Sequence, residues 1–189
     1  MTDKEVLDLF CEKKALLTGH FKLSSGLHSE NYLQCALILQ YPDLAEKMAK
    51  DIAKKFVKEK IDLVIGPALG GVTLAYEAAR ALKVKGLFTE RQDGTMVLRR
   101  GFAIAPGERA LVVEDVITTG GSTKEVIEVV KNSGGIVIGV ASVIDRSSAP
   151  VDFGVPFVSL ARIKAATYKA DACPLCKSSV PITKPGSRK

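Results

Sequence analysis

Residues 111–123 read LVVEDVITTGGST. The stretch begins as the apolar run of a buried strand and ends in a glycine-rich turn, with Glu114 and Asp115 at the junction. The backbone N–H groups of such a turn, at the start of a helix, form a cradle for one phosphate group. Two adjacent carboxylates repel a second phosphate but accept hydrogen bonds from vicinal hydroxyls. The stretch therefore predicts a sugar phosphate as the ligand.

The sequence around this stretch alternates between apolar strands and amphipathic helices. The predicted strands are 63–65, 86–90, 110–114, 136–144 and 156–161, and the predicted helices are 72–82 and 122–132. This alternation is typical of a parallel sheet with helices on both faces. We therefore predict an α/β fold with an open, mainly parallel sheet flanked by helices.

The N-terminal region shows a different pattern. Residues 3–15 suit a short amphipathic helix, and residues 19–35 predict a strand–loop–strand unit that contains His20 and His28. We interpret both histidines as packing or hydrogen-bonding residues in preference to general bases. Pro42 begins a longer helix. Its predicted apolar face consists of Leu44, Ala45, Met48, Ala49, Ile52, Phe56 and Val57.

The composition is that of one soluble globular domain, with 189 residues, 47% hydrophobic and 25% charged. The sequence shows no signal-peptide pattern and no apolar run of the roughly 20 residues that a membrane span needs. These features predict a cytoplasmic protein without a membrane partner. The net charge of +6 is explained by general solubility or by an anionic substrate. Nucleic-acid binding is disfavoured because the basic residues are scattered and few aromatics lie among them.

The four cysteines fall into two groups. Cys11 and Cys35 lie in apolar surroundings and are predicted to be core thiols. Cys173 and Cys176 form a Cys-Pro-Leu-Cys motif, which supplies two of the four ligands that a closed zinc site needs. A symmetric dimer would supply the other two. The preferred interpretation is a structural or unbonded pair.

Two further segments belong to the predicted ligand-binding edge of the sheet. In open α/β sheets, ligands bind beyond the carboxyl ends of the strands. The small residues of the 66–71 loop, GPALGG, let a backbone approach a ligand closely. The long segment 90–108 carries Arg91, Arg99 and Arg100, and its length predicts either a functional lid or a solvated β-hairpin arm.

The two acids followed by Thr-x-Gly-Gly-Ser resemble the signature of the type I phosphoribosyltransferases, which bind 5-phosphoribosyl 1-diphosphate (PRPP). The resemblance implies a PRPP site made of Glu114, Asp115, Val116, Ile117, Thr118, Thr119, Gly120, Gly121 and Ser122. It implies a diphosphate loop made of Ala68, Leu69 and Gly70. It also implies Mg²⁺ as cofactor, held mainly by the substrate and without a metal ligand from the protein.

Two other motifs resemble the orotate-specific branch of this family. They are residues 19–29 with Tyr32, and the run Ile144-Asp145-Arg146. The resemblance implies orotate binding by Thr118, Arg146, Ser24 and Ser25. A guanidinium suits the carboxylate and carbonyl edge of a pyrimidine because it meets them in a planar, bidentate way. The implied reaction transfers ribose 5-phosphate from PRPP to orotate in pyrimidine biosynthesis.

The resemblance covers residues 4–161 and departs from many orotate enzymes in three places. Serine stands at position 24 where many carry lysine, a lysine near Gly70 is missing, and the loop 95–102 lacks a Lys-x-His-Gly run. The sequence is most similar to a branch with a Leu-Arg-Arg-Gly-Phe loop and a C-terminal Cys-Pro-Leu-Cys. The implied catalytic residues are Asp115, Arg91, Arg99 and Arg100.

The family architecture implies one domain over residues 1–189, a flexible β-loop and a homodimer. Residues 62–150 would form the core, while 1–40 and 155–189 would form a hood near the base. Two alternatives remain from the sequence. One is a purine phosphoribosyltransferase, which shares the PRPP signature, and the other is a non-catalytic regulator that senses PRPP.

Overall fold

A computed structural model describes residues 1–23, 26–164 and 166–185. The helices are α1 (Asp3–Glu12), α2 (Ala36–Leu39), α3 (Pro42–Lys55), α4 (Gly70–Leu82), α5 (Gly121–Asn132) and α6 (Pro174–Lys177), with a 3-10 turn at Ala170–Ala172. The strands are β1 (Leu16–Lys22), β2 (His28–Leu33), β3 (Leu63–Pro67), β4 (Lys85–Gln92), β5 (Thr95–Leu98), β6 (Arg109–Ile117), β7 (Ile136–Asp145), β8 (Phe157–Arg162) and β9 (Thr167–Tyr168).

The main sheet has the strand order β5-β4-β3-β6-β7-β8. Its neighbours are parallel except for β5, which pairs antiparallel with β4. Helices α1, α3 and α4 cover one face and α5 covers the other. The prediction of an open, mainly parallel sheet flanked by helices is therefore confirmed.

Strand β3 shows why the strands of this parallel sheet appear in the sequence as unbroken apolar runs. Val64 packs into the core under α3 and α4, whereas Leu63 and Ile65 pack into the core under α5. All three side chains are fully buried, because successive residues of a strand point to opposite faces and both faces are covered. Strand β6, which carries residues 111–117, shows the same pattern and lies between β3 and β7.

A small second sheet lies outside the main one. It has the order β1-β2-β9, with antiparallel pairing throughout. The chain after α6 returns to this sheet, where the Lys22 N–H donates to the Thr183 carbonyl and the Thr183 N–H donates to the His20 carbonyl, both at 2.8 Å. The N-terminal hairpin and the C-terminal segment therefore form one structural unit.

The segment after Glu90 forms a β-hairpin arm. Strand β4 continues to Gln92, and β5 begins at Thr95 and pairs back along it. Asp93 and Gly94 both have positive φ, of 51° and 82°, as a tight two-residue hairpin turn requires. Of the two interpretations that the sequence left open, the hairpin describes the structure of residues 90–98.

Two details of the sequence analysis are wrong. Cys11 is exposed, because α1 buries Val6 and Phe10, and Cys11 lies one position further round the helix. Val57 is 77% exposed, because α3 ends at Lys55 and the helical periodicity no longer applies beyond it.

Among the described residues, no helix has the length and apolar character that crossing a bilayer requires.

The end of α3 yields a direct test of this packing. Ile52 is fully buried against the sheet, so Ile52→Ala should lower the free energy of unfolding by about 2–4 kcal/mol through the cavity it leaves. Val57→Ala, on the same predicted face, should change it by less than about 0.5 kcal/mol. Denaturant titration of both variants measures the difference, and equal losses would contradict the observed helix end.

Candidate active site

The acid pair lies where β6 emerges from the core. Glu114 is 8% exposed and Asp115 is partly buried. One Asp115 carboxylate oxygen accepts a hydrogen bond from the Val116 N–H at 2.8 Å, which fixes the direction of that side chain. Strand β7 ends beside it, because Ile117 is paired with Asp145 in the parallel register. The ends of β6 and β7 therefore form one edge of the site.

The electrostatic environment of the two acids is unfavourable in the ligand-free protein. Burial, together with the neighbouring Asp115 carboxylate, raises the pKa of Glu114 to about 9. Burial also raises the pKa of Asp115 above its usual value. The pair consequently retains a proton at neutral pH. A ligand that donates hydrogen bonds to both carboxylates would stabilise their ionised forms.

The glycine-rich turn follows directly. Thr118 and Thr119 are exposed, and Gly120 adopts the left-handed conformation with φ of 75° before α5 begins. No side chain of the described residues caps this helix at its N-cap position, and the Gly121 N–H makes a long 3.4 Å contact with Thr119 Oγ1. Backbone N–H groups of the first turn of α5 are therefore available to an anion.

Two residues that the sequence analysis missed support this turn. A Cβ on Gly120 would lie 2.8 Å from Val151 Cγ1 and 2.9 Å from Phe153 Cε1, so these side chains pack directly against the glycine. Phe153 is itself buried. Its only sequence signal is an aromatic residue in a loop of small and polar residues. The loop after β7 thus packs against the glycine-rich turn and supports its conformation.

The loop after β3 also reaches the acid pair. A Cβ on Gly70 would lie 2.5 Å from Asp115 Oδ2, so only a glycine permits this approach. The preceding Leu69 is 88% exposed, and the Ala68 N–H donates to the Thr89 carbonyl at 2.8 Å. The structure therefore brings Gly70 beside Asp115, as expected of loops at the carboxyl ends of neighbouring strands, whereas the contact shown for Ala68 is with β4.

Arg146 lies at the end of β7. Its N–H donates to the Ile117 carbonyl at 2.8 Å, which places the residue next to the acid-bearing strand. Burial of the side chain lowers the pKa of the guanidinium, and within the described ranges it forms no ion pair. The adjacent Asp145 interacts instead with the Ser147 N–H and with Arg162. Arg146 is therefore a partly desolvated cation without a carboxylate partner in the described part of the chain.

Ser147 is a further residue that the sequence analysis missed. Its side chain is 5% exposed, and its hydroxyl has no hydrogen-bond partner among the residues that the structure describes. Buried hydroxyls normally have a hydrogen-bond partner, and the position of Ser147 next to Arg146 makes its hydroxyl a candidate ligand contact. Ser24 and Ser25, predicted to contact the base, lie outside the described residues.

Two of the three arginines of the arm make contacts away from the acid pair. Arg91 pairs with Glu125 at 2.7 Å, and Arg100 binds Glu90 through two hydrogen bonds of 2.8 Å. Arg99 is exposed and forms no ion pair with any described residue. The structure thus does not bring these three residues together with Glu114 and Asp115.

Comparison with known sequences defines the class of protein. Residues 37–153 match the family model described as "Phosphoribosyl transferase domain". This range contains β3, β6 and the loops that meet at the acid pair. The solved structure of adenine phosphoribosyltransferase from Thermoanaerobacter pseudethanolicus superposes with a TM-score of 0.60 at 19% identity, covering 70% of this chain and 88% of that one. The fold is therefore that of a phosphoribosyltransferase.

More similar relatives place the chain within that class. It is 55% identical to the orotate phosphoribosyltransferase of Caldanaerobacter subterraneus over all of both chains. It is 57% identical to that of Carboxydothermus hydrogenoformans over 98% of each. The crystal structure of orotate phosphoribosyltransferase from Aeropyrum pernix has a TM-score of 0.67 at 27% identity, covering 84% of this chain and 94% of that one. The chain belongs to the orotate phosphoribosyltransferase family.

The raised pKa of Glu114 leads to a prediction about stability. Between the usual glutamate pKa of 4.5 and its folded value of about 9, the unfolded chain releases a proton that the folded state retains, so stability falls as pH rises. Glu114→Gln should therefore raise the free energy of unfolding of the ligand-free protein by about 1–2 kcal/mol at neutral pH.

Urea titration at neutral and at acidic pH tests this expectation. The gain should disappear below the usual pKa of glutamate, where both states are protonated. Glu128→Gln, at an exposed position on α5, serves as the matched control and should show little change at either pH. A gain of equal size at both pH values would show that the charge of Glu114 is not its cause.

Proposed function

We propose that this protein transfers ribose 5-phosphate from PRPP to orotate, giving orotidine 5′-phosphate and diphosphate in pyrimidine biosynthesis. The observation that carries the proposal is Arg146, a partly buried guanidinium without a carboxylate partner among the described residues, beside the acid pair and the anion-binding turn. Orotate supplies the missing carboxylate. Relatives named orotate phosphoribosyltransferase at 55% and 57% identity support this choice of base.

The ribose 5-phosphate portion is assigned to the β6 edge. Glu114 and Asp115 would accept hydrogen bonds from the 2′- and 3′-hydroxyls, which would compensate the burial of their ionised forms. The 5′-phosphate would bind to the turn formed by Thr118, Thr119, Gly120, Gly121 and Ser122. Val116 and Ile117 would position this turn as the last residues of the strand. Binding of PRPP should therefore be accompanied by proton release from the acid pair.

The diphosphate is assigned to Ala68, Leu69 and Gly70. The glycine at position 70 lets the backbone of this loop pass directly beside Asp115, so the loop would border the same ligand as the acid pair. Ribose hydroxyls and diphosphate oxygens form an oxygen-rich donor set, which suits Mg²⁺, a hard cation. When bound there, Mg²⁺ would offset negative charge on the departing diphosphate. The nearby carboxylates of the acid pair fit such a cation, while the substrate would hold most of its coordination sphere.

The reaction makes modest covalent demands on the protein. Transfer with inversion at the anomeric carbon passes through an oxocarbenium-like state, in which positioning of the two anionic substrates and stabilisation of the leaving group dominate. Asp115 would hold the ribose during this step. Arg146, Thr118, Ser24 and Ser25 would orient orotate, and the orphaned Ser147 hydroxyl adds a further candidate contact.

The cations that stabilise the diphosphate are assigned to the β-hairpin arm. Arg91 and Arg100 are engaged with Glu125 and Glu90, so they would have to exchange these partners on closure. Arg99 has no such partner among the described residues. We infer that the arm closes over a site, in the homodimer that we propose, by reaching across to the neighbouring subunit.

We assign the parts of the chain to the same two ligands, PRPP and the base. Residues 62–150 would form the PRPP-binding core, and residues 1–40 and 155–189 would contribute a hood near the base. The separate sheet β1-β2-β9 supports such a hood, whereas α1 and β8, which lie within the same ranges, belong to the main sheet and its cover. A cytoplasmic location stays a prediction from the composition.

Orotate absorbance provides the decisive assay. Purified protein with PRPP and Mg²⁺ should consume orotate, and adenine, guanine, hypoxanthine and xanthine should give no product. Turnover of a purine instead of orotate would make the chain a purine phosphoribosyltransferase. Binding of PRPP without turnover of any base would favour a regulator.

Arg146 offers a specific prediction. Arg146→Ala should lower kcat/KM for orotate by about 100-fold, because a charge-assisted contact to the carboxylate is lost. The KM for PRPP should change by less than about threefold. Arg109→Ala is the control, since Arg109 lies at the opposite end of β6 and pairs with Glu59. Steady-state kinetics with each substrate varied in turn measure both effects, and an equal loss for PRPP would remove Arg146 from the base pocket.

A further inference from the structure

Four metal-binding side chains from opposite ends of the sequence converge beside the second sheet. They are His20 on β1, His28 at the start of β2, and Cys173 and Cys176 around the beginning of α6. The nearest ring nitrogens of the two histidines are 3.0 Å apart. Cys173 Sγ lies 3.6 Å from His20 Nε2, and Cys176 Sγ lies 3.3 Å from His28 Nδ1 and 3.7 Å from His20 Nε2.

These separations match those of a tetrahedral metal site. Zn²⁺ binds histidine nitrogen at about 2.0–2.1 Å and cysteine sulfur at about 2.3 Å. In a regular tetrahedron those bonds place neighbouring ligand atoms about 3.3–3.8 Å apart. All four ligand atoms lie within 4.8 Å of one another, so a small movement completes the geometry. Two thiolates and two neutral imidazoles also balance the charge of a divalent ion.

The orientation of His20 points to the same conclusion. Its Nδ1 lies 2.8 Å from the Val180 carbonyl oxygen, which can only accept a hydrogen bond. Nδ1 therefore carries the proton, and the lone pair of Nε2 faces the two sulfurs and His28. A backbone carbonyl that binds the outer nitrogen of a histidine is the usual support for a metal-ligating ring.

The burial pattern gives an independent argument. Between residues 169 and 185, Cys173 is the one buried residue, and its side chain is completely inaccessible. The two histidines that face it are also buried, at 3% and 6% exposure. Neither of the two main hydrophobic clusters includes a residue of this segment. Apolar packing therefore does little to hold residues 169–185 against the hairpin, and a coordinated ion would supply that attachment.

We propose that His20, His28, Cys173 and Cys176 bind one structural Zn²⁺ ion, which fastens the C-terminal segment to the β1–β2 hairpin. The sequence analysis looked for the missing zinc ligands in a second copy of the chain, whereas the fold places them in the same chain. Four protein ligands close the coordination sphere, so the ion has a structural role and no position for substrate.

Metal analysis of the whole protein tests this proposal. Untagged protein purified without chelators should contain about one zinc atom per chain. The double variant Cys173→Ser/Cys176→Ser should lose it, and Cys11→Ser, which removes an exposed thiol elsewhere, should retain it. Co²⁺ added to chelator-stripped protein should give the visible absorption of a tetrahedral site with thiolate ligands, and this absorption should be absent from the double variant.

If the zinc ion has a structural role, its removal should change the stability of the protein even when no substrate is present. Stripping zinc from the wild-type protein should lower Tm by several degrees and expose residues 169–185 to proteolysis, and added Zn²⁺ should reverse both effects. Stripped wild-type protein that binds neither Zn²⁺ nor Co²⁺ would overturn the proposal. So would zinc retained by the double variant, or a native Cys173–Cys176 disulfide detected by mass spectrometry. If the double variant does not fold, the wild-type zinc content and cobalt spectrum decide.

Discussion

The candidate site depends on holding two carboxylates together at the end of a strand that is buried on both faces. Glu114 and Asp115 are adjacent and held close to the core; burial raises the pKa of both, and the neighbouring Asp115 carboxylate raises that of Glu114 further. The ligand-free protein tolerates this arrangement because β6 lies between β3 and β7 and cannot move outward. A ligand with two vicinal hydroxyls would donate hydrogen bonds to the two carboxylates and stabilise their ionised forms. The unfavourable environment of the acids in the ligand-free protein would then favour binding of such a ligand.

The parallel topology determines what surrounds the acids. Strands β3, β6 and β7 run in the same direction, so the loops after them meet at one edge of the sheet. Gly70 comes within contact of Asp115, Gly120 rests on Phe153, and Arg146 is hydrogen-bonded to the end of β6. Each strand end has a separate assignment: diphosphate, ribose phosphate and base. Under the proposed assignment the base would be met by a different strand from the ribose, which would let an adenine enzyme and orotate enzymes share the fold.

Much of the site could be predicted from sequence because its elements are local. The acid pair and the glycine turn are contiguous, and the strand before them shows an unbroken apolar run, so their neighbourhood follows from the chain itself. The exposed Cys11 and Val57 were predicted wrongly because periodicity does not show where a helix ends or how wide its buried face is. The loop after β7 has no repeating sequence pattern. Its contributions to the site, from Val151, Phe153 and Ser147, were therefore not predicted.

The sequence by itself determined the alternation of strands and helices, the 111–123 stretch and the family to which the chain belongs, because these depend on neighbouring residues. The tertiary structure alone decided which distant residues meet. It paired Arg91 and Arg100 with carboxylates and left Arg146 without one among the described residues, although all three look alike in sequence. It also gathered His20 and His28 with Cys173 and Cys176, which are separated by most of the chain. The physical reason is that contact between distant residues depends on how the strands and helices pack in three dimensions, and no local periodicity records that packing.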